Sequence, residues 1–320
     1  MNGTVLGGTN NTFSVECEDK VIRQCTIKGK QLKSETRYYN PIAPGDVVKI
    51  ECDTIDENKG QIMELLPRKN LFLRWNVKGR LPQVLACNLD YLLLVTTPDE
   101  PPFRPRFIDR ELAQAECQNL TPIIVCNKYD LPAASDLDFQ NRLTTWENLG
   151  YTVMRISAKT GEGLSELAEL IKDKTCALVG QSGIGKSSLV NVLDNSCVLK
   201  TGSLSQKYGK GQHTTTKGTL LRLHLTESLV GGLKNAVTSI IDTPGIRRFV
   251  LNDIESDDLA LYFREFKPLI GKCSFGMSCK HLTEPGCKIL EAVHAGVISE
   301  ERYDSWLRIR EEIISGSWKD

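Results

Sequence analysis

Residues 180–187 read Gly-Gln-Ser-Gly-Ile-Gly-Lys-Ser, a G-x-x-x-x-G-K-[ST] pattern. It follows an apolar run, Cys176 to Val179, and precedes a helix-like segment, Ser188 to Leu193. That setting, strand then glycine-rich loop then helix, is what a phosphate-binding loop requires. Glycines Gly180, Gly183 and Gly185 let the backbone curl so that its N–H groups face phosphate oxygens, and the helix N-terminus adds partial positive charge. With Gln181, Ser182, Ile184 and Ser188 they would line the phosphates. Lys186 is expected on the β- and γ-phosphates and Ser187 on Mg²⁺.

Three further motifs fall at the ends of apolar runs. Asp242-Thr243-Pro244-Gly245 follows Val237 to Ile241. Its acid suits a contact to the magnesium shell and its Gly245 N–H a γ-phosphate; taken alone, D-x-x-G is also an ordinary turn. Asn127-Lys128-Tyr129-Asp130 follows Pro122 to Cys126. Two donors of guanine, N1–H and the 2-amino group, match one carboxylate, Asp130, and adenine offers neither there. A site built on such bonds rejects the wrong base strongly, because a polar group is left unpaired. Ser157-Ala158-Lys159, after Val153 to Ile156, resembles a supporting guanine loop. Ligands of α/β sheets gather at strand ends, so the conjunction predicts a GTP site where each motif alone would not. The order is unusual: the base-reading motifs precede the phosphate loop, which a circularly permuted domain would accommodate.

A fifth cluster has different chemistry. Cys273, Cys279, His281 and Cys287 give C-x5-C-x-H-x5-C. Three thiolates and an imidazole match a closed, tetrahedral, structural zinc site, with no position left for catalysis. The loop between them has little apolar content, so the metal would supply its folding energy. The other eight of the eleven cysteines (Cys17, Cys25, Cys52, Cys87, Cys117, Cys126, Cys176 and Cys197) are scattered singly, mostly among apolar residues, and read as small buried hydrophobes.

The elements that must position these groups fall into three stretches. Residues 1–72 show short β-prone pieces, such as Asp46 to Ile50, between Gly, Asn and Pro turns. This predicts a small barrel of about five strands, of which the oligonucleotide-binding fold is one candidate. Residues 73–250 alternate apolar runs with helical segments such as Asp109 to Gln118 and Leu164 to Lys172, the pattern of an α/β domain with a parallel sheet. Leu220 to Leu225 is a further run of this kind. A proline-rich loop, Pro98 to Pro105, follows Tyr91 to Val95, and a long irregular stretch, Lys200 to Gly218, carries no apolar period. Residues 251–320 read as helical around the Cys/His cluster. Ser299 is the expected cap of a helix with Tyr303, Trp306, Leu307 and Ile313 on one stripe, and Gly296 the expected end of the helix before it.

Forty basic and forty acidic residues among 320 cancel, so no global basic field announces nucleic acid, and any basic surface is local. No apolar run reaches the roughly 18 residues of a membrane span, and the first residues lack a secretory leader. A cytoplasmic monomer is expected.

These motifs in this order resemble the ribosome small-subunit-dependent GTPase A family, the circularly permuted GTPases of bacteria, over essentially the whole chain. Gly211-Gln212-His213-Thr214-Thr215-Thr216 looks like that family's switch loop, although the family often has a basic residue at the position of Gln212, and here Cys273 and Cys279 stand one residue further apart than is common. The resemblance implies an N-terminal oligonucleotide-binding barrel, a permuted GTPase domain and a C-terminal zinc domain. It further implies late maturation of the small ribosomal subunit, with hydrolysis of GTP to GDP stimulated by that subunit, and with the subunit and its rRNA as binding partners. Lys207, Lys210, Lys217, Lys267, Lys272, Lys280 and Lys288 are candidate phosphate contacts, against the alternative of solvated surface lysines. Ile246 stands where Ras-like enzymes keep a catalytic glutamine. His213 is therefore the internal candidate for positioning water, with Thr215 the candidate to close on Mg²⁺. Slow intrinsic turnover would also suit an RNA-binding assembly placeholder in which GTP only sets conformation.

Overall fold

The computed structural model describes residues 1–9, 11–28, 37–196, 218–243 and 249–316. The first five strands, β1 (Asn2–Thr9), β2 (Thr12–Cys17), β3 (Ile22–Ile27), β4 (Val47–Cys52) and β5 (Lys59–Leu65), close into a barrel in the order β1-β2-β3-β5-β4. All neighbours are antiparallel except β3 and β5. Alternating residues Val5, Phe13, Val15, Cys25, Val48, Ile50 and Ile62 fill the interior, as period-two burial demands. This is the closed five-stranded barrel that the turn-rich N-terminal sequence predicts.

A hairpin of β6 (Leu71–Asn76) and β7 (Leu81–Cys87) follows as a separate two-stranded sheet. The expected boundary at 72/73 falls inside β6. Phe72 stacks on Phe249 at 5.5 Å, and the Trp75 N–H donates to the Val250 carbonyl at 3.0 Å, so the hairpin joins the central region to the chain that leaves it.

The central sheet has six strands: β8 (Tyr91–Thr96), β9 (Pro122–Cys126), β10 (Thr152–Arg155), β11 (Thr175–Val179), β12 (Thr219–His224) and β13 (Val237–Asp242). Their order is β10-β9-β8-β11-β13-β12. Every pairing is parallel except β12 with β13, which is antiparallel. The sequence pattern predicts Leu220 to Leu225 as one more strand of a parallel sheet; it instead pairs antiparallel with β13 at the sheet's edge, a direction that periodicity does not distinguish.

Helices α1 (Pro105–Cys117) and α2 (Leu137–Asn148) cover one face, in the same core as the C-terminal residues Leu259, Phe263, Phe266 and Trp306. Helices α3 (Leu164–Ile171) and α4 (Lys186–Leu193) cover the other. The chain leaves β8 through α1 toward β9 on one side, and leaves β11 through α4 on the opposite face. The sheet's topological switch point therefore lies between β8 and β11, where their loops diverge and open a crevice.

After β13 come short 3₁₀ turns and two helices, α5 (Lys288–His294) and α6 (Glu300–Ser315). Gly296, with φ of 69°, stands just beyond α5 as the sequence predicts. The α6 stripe differs from expectation. Its buried face is Arg302, Ser305, Trp306, Ile309 and Glu312, while Tyr303, Leu307 and Ile313 are half-buried beside it. The reason is a set of buried ion pairs. Arg302 meets Asp109 at 2.5 Å and Glu265 at 2.7 Å, Arg110 meets Glu312 at 2.6 Å, and Arg142 also pairs with Asp109. No described helix is long and apolar enough to cross a membrane.

Candidate nucleotide site and metal centre

The phosphate-loop residues connect β11 to α4, at the switch point. The loop is tightly folded. A Cβ on Gly180 would lie 2.2 Å from Ile184 Cδ1 and 2.6 Å from the Val95 carbonyl oxygen, and one on Gly185 would lie 2.4 Å from Asn127 Nδ2. Gly183 and Gly185 have φ of 88° and 90°, which glycine alone adopts without strain. Lys186 opens α4 and bends back over the loop, its Nζ donating to the carbonyls of Gly180 at 2.7 Å and Gln181 at 2.8 Å. Ser187 and Ser188 sit in the helix's first turn, and Ser182 is exposed on the loop.

Asp242 ends β13 one strand away, with its backbone in register with Leu178. Burial pushes its carboxyl up to about 7, against the pull of the Lys186 ammonium. Its Oδ1 has no hydrogen-bond partner among the described residues. A buried, unsatisfied carboxylate oxygen beside a phosphate loop suits a hydrated divalent cation. Burial likewise lowers Lys186, and Asp242 opposes that. Gly245 and Ile246 lie outside the described residues, as do His213 and Thr214 to Thr216.

The guanine motifs stand at the ends of β9 and β10. Asn127 is buried and ties three loops together. Its backbone N–H donates to the Thr96 carbonyl at 2.9 Å, its Nδ2 to the Ile184 carbonyl at 2.9 Å, and its Oδ1 accepts from the Ala158 N–H at 3.1 Å. Ser157 donates to Asp130 Oδ1 at 2.6 Å and accepts from the N–H groups of Lys159 and Thr160. That hydroxyl is the main reason the Asp130 carboxyl is held below its ordinary value. The Lys159 ammonium stands 3.8 Å from Asp130 Oδ2. Lys128 has φ of 58°, and its Nζ donates to the Glu100 carbonyl on the proline-rich loop. Residues far apart in the chain thus meet at one crevice. Glu100 belongs to none of the motifs; the signal the sequence does carry for it is a proline-rich loop at the C-terminal end of a strand.

The second cluster is also assembled. The donor atoms of Cys273, Cys279, His281 and Cys287 all lie within 4.8 Å of one another, and all four residues are buried. Around a tetrahedral ion, bonds of about 2.3 Å to sulfur and 2.0–2.1 Å to nitrogen imply S···S near 3.8 Å and S···N near 3.5 Å. The observed separations are 3.9 Å for Cys273 Sγ to Cys287 Sγ, and 3.6 and 3.4 Å from His281 Nδ1 to those two sulfurs. Burial pushes the Cys279 thiol up to about 12, so thiolates here call for a cation. The Glu284 carboxylate accepts the N–H groups of Lys280 and Leu282, both at 2.8 Å, and shapes the loop. From α6, the Tyr303 hydroxyl donates to the His281 carbonyl at 2.7 Å, and the Trp306 ring stands 6.4 Å from the imidazole. The residues fit a closed metal centre. The described cysteines outside this cluster are all free thiols.

Comparison with known proteins agrees with this geometry. The family model described as RsgA GTPase matches residues 65–252. The chain is 38% identical over 311 residues to the small ribosomal subunit biogenesis GTPase RsgA of Borrelia recurrentis, covering 97% of this chain and 93% of that protein. It is 35% identical to the protein of the same name from Chlorobaculum parvum, covering 98% of each. Among solved structures it is similar to YjeQ from Thermotoga maritima, with a TM-score of 0.69, 31% identity and 98% of each chain covered. It is also similar to YloQ, described as a circularly permuted GTPase, with a TM-score of 0.68 and 26% identity, covering 100% of this chain and 96% of that one.

Proposed function

The chain belongs to the RsgA GTPase family, and from that premise we propose that its GTP hydrolysis serves late maturation of the small ribosomal subunit, which stimulates it. The observation that best supports the nucleotide part of this reading is Asn127, whose one side chain bonds both to the phosphate loop and to the loop at Ala158, as a single pocket built from motifs in permuted order requires. Three units share the work: a barrel (1–72) for rRNA contact, the GTPase domain (73–250) and a zinc-bearing helical unit (251–320).

Asp130, supported by Ser157, Ala158 and Lys159, reads guanine, with Asn127 and Lys128 framing the base. Gly180 to Ser188 cradle the phosphates, and Lys186 swings from its two loop carbonyls onto the β- and γ-phosphates. Ser187 and Asp242 hold the magnesium that accompanies GTP, whose chemistry is to neutralise charge developing on the phosphoryl oxygens. Gly245 senses the γ-phosphate, Thr215 closes on the magnesium, and His213 positions the attacking water. Cys273, Cys279, His281 and Cys287 hold one structural zinc. The protein works as a monomer in the cytoplasm, alternating between GTP and GDP on the subunit.

Multiple-turnover phosphate release, measured alone and with purified small subunits, large subunits or bare rRNA, tests this reading. Stimulation specific to small subunits is expected. Turnover that no ribosomal particle accelerates, with GTP-dependent subunit binding intact, would instead make the protein a placeholder in which GTP sets conformation. His213→Ala is expected to lower stimulated turnover by about 10²-fold, with GTP affinity and subunit binding little changed.

A further inference from the structure

The crevice at the switch point has two walls. One is the phosphate loop after β11. The other is the turn that follows β8, residues 97–101, which no motif marks. We propose that this turn is a positioning element of the guanine-nucleotide site, holding Lys128 in place and backing the phosphate loop at Gly183. The proposal rests on the nucleotide reading above and assigns to it residues that its motifs do not contain.

Four observations carry it. The turn is built from within: the buried Thr97 hydroxyl donates to the Asp99 carbonyl at 2.6 Å, and Asp99 Oδ1 accepts the Glu100 N–H at 2.7 Å. These bonds present the Glu100 carbonyl to the Lys128 ammonium. Both partners hold left-handed backbone, Glu100 with φ of 55° and Lys128 with φ of 58°. Such conformations are uncommon for residues with a side chain, persist only when the surroundings impose them, and cluster at functional sites. The next residue, Pro101, lies over the phosphate loop: a Cβ on Gly183 would stand 3.7 Å from its Cδ, and among the described residues beyond Gly183's own chain neighbours no other heavy atom comes within 4 Å of that position. Finally, the far end of the loop is anchored, since the Phe103 ring packs edge-on to Phe139 at 4.8 Å and to Trp146 at 6.1 Å.

The physical consequence is one of preorganisation. A free lysine ammonium samples many rotamers, and immobilising it on binding has an entropic cost. A carbonyl that fixes it beforehand reduces that cost for any guanine nucleotide. Because the contact lies on Lys128 and at Gly183 and involves neither Lys186 nor Asp242, it should act on GTP and GDP alike.

The test measures dissociation constants of GTP and GDP for the full chain and for Thr97→Val, Thr97→Ser, Lys128→Ala and the double variant Thr97→Val/Lys128→Ala. Asp99→Ala, at an exposed position, serves as a second probe of the turn should the buried valine impair folding. The expected result is that Thr97→Val and Asp99→Ala weaken both nucleotides by the same factor, about 3- to 10-fold, the scale of one lost hydrogen bond. Thr97→Ser restores the parent affinity, and in the Lys128→Ala background the valine adds nothing further. Parent affinity in Thr97→Val and Asp99→Ala, or losses that add fully to that of Lys128→Ala, would overturn the proposal while leaving the nucleotide reading intact. A parent chain that binds neither GTP nor GDP would overturn that reading, and this one with it.

Discussion

Asp130 carries the base-reading prediction because of how its oxygens are already used. Ser157 donates to Oδ1 and lowers the carboxyl, so the group is a charged, oriented acceptor before any base arrives. Asp130→Asn replaces one acceptor by a donor that faces the guanine 2-amino group. GTP affinity should fall by about 10²-fold or more, and xanthosine triphosphate, with an acceptor there, should compete better than GTP. Equal GTP affinity in parent and variant would remove Asp130 from the base site. Lys186 makes a complementary case. Two loop carbonyls hold its ammonium where the phosphates would sit, and burial lowers it. Lys186→Ala should abolish tight GTP binding, and Ser187→Ala should flatten the dependence of binding on magnesium concentration, both readable by equilibrium titration with a fluorescent nucleotide.

At the scale of elements, α1, α2 and α6 meet around one fully buried carboxylate. Asp109 accepts from Arg142, from Arg302 at 2.5 Å and from the Trp146 indole at 2.9 Å. Burial raises its carboxyl, but the two guanidiniums together with hydrogen bonds from Ser305 and Trp146 outweigh burial, and the net shift is below the ordinary 3.8. A carboxyl lowered by folding contributes its stability in full above its unfolded value and loses it as pH falls through the folded one. Thermal stability of the parent should therefore drop steeply below about pH 4, while Asp109→Asn should start lower and change less over that window. Asp109→Ala should cost about 3–5 kcal/mol in denaturant unfolding, because two buried cations lose their shared partner. This network also marks where the sequence stopped being informative. Apolar runs predicted all six central strands, and G-x-x-x-x-G-K-S and N-K-x-D located their loops, because backbone periodicity and phosphate chemistry leave local patterns. Arg302 and Glu312 lie off the stripe of Tyr303, Trp306, Leu307 and Ile313, and partners distant in the chain make them interior: Asp109 and Arg110 on α1, some two hundred residues earlier, and Glu265. The direction of β12 and the hairpin β6–β7 were illegible for a related reason: pairing is a property of two segments, and composition describes one.

Across the whole molecule the units are pinned by side chains that cross between them. A buried Arg68–Asp46 pair at 2.7 Å and an Asn88 bond to the Gly45 carbonyl at 2.8 Å tie the barrel to the chain that enters the central sheet, and Arg222–Glu16 at 2.9 Å ties it to the edge strand β12. The metal centre is pinned differently. Among residues 271–287 only Cys273, Cys279, His281 and Cys287 are buried, so the four donors themselves are the interior of that segment. Its neighbours are not so dependent: Phe249, Leu259, Phe263, Phe266, Trp306 and Ile309 form an apolar core with α1, and Asp109 and Glu265 hold Arg302. Removing the metal should consequently unravel residues 271–287 and release the Tyr303 contact to His281, without undocking α6 from α1. Protein purified without chelator should contain one zinc per chain by elemental analysis. Chelation should raise hydrogen exchange in that segment, shift the emission of Trp306 toward that of a solvated indole, and leave GTP affinity within about 10-fold of the parent, since no nucleotide contact runs through the cluster. Exchange protection that survives chelation would show the segment folds without metal. A complete loss of GTP binding would show that the support of α1 by α6, and through it the loops after β8 and β9, depends on zinc far more than the buried ion pairs imply.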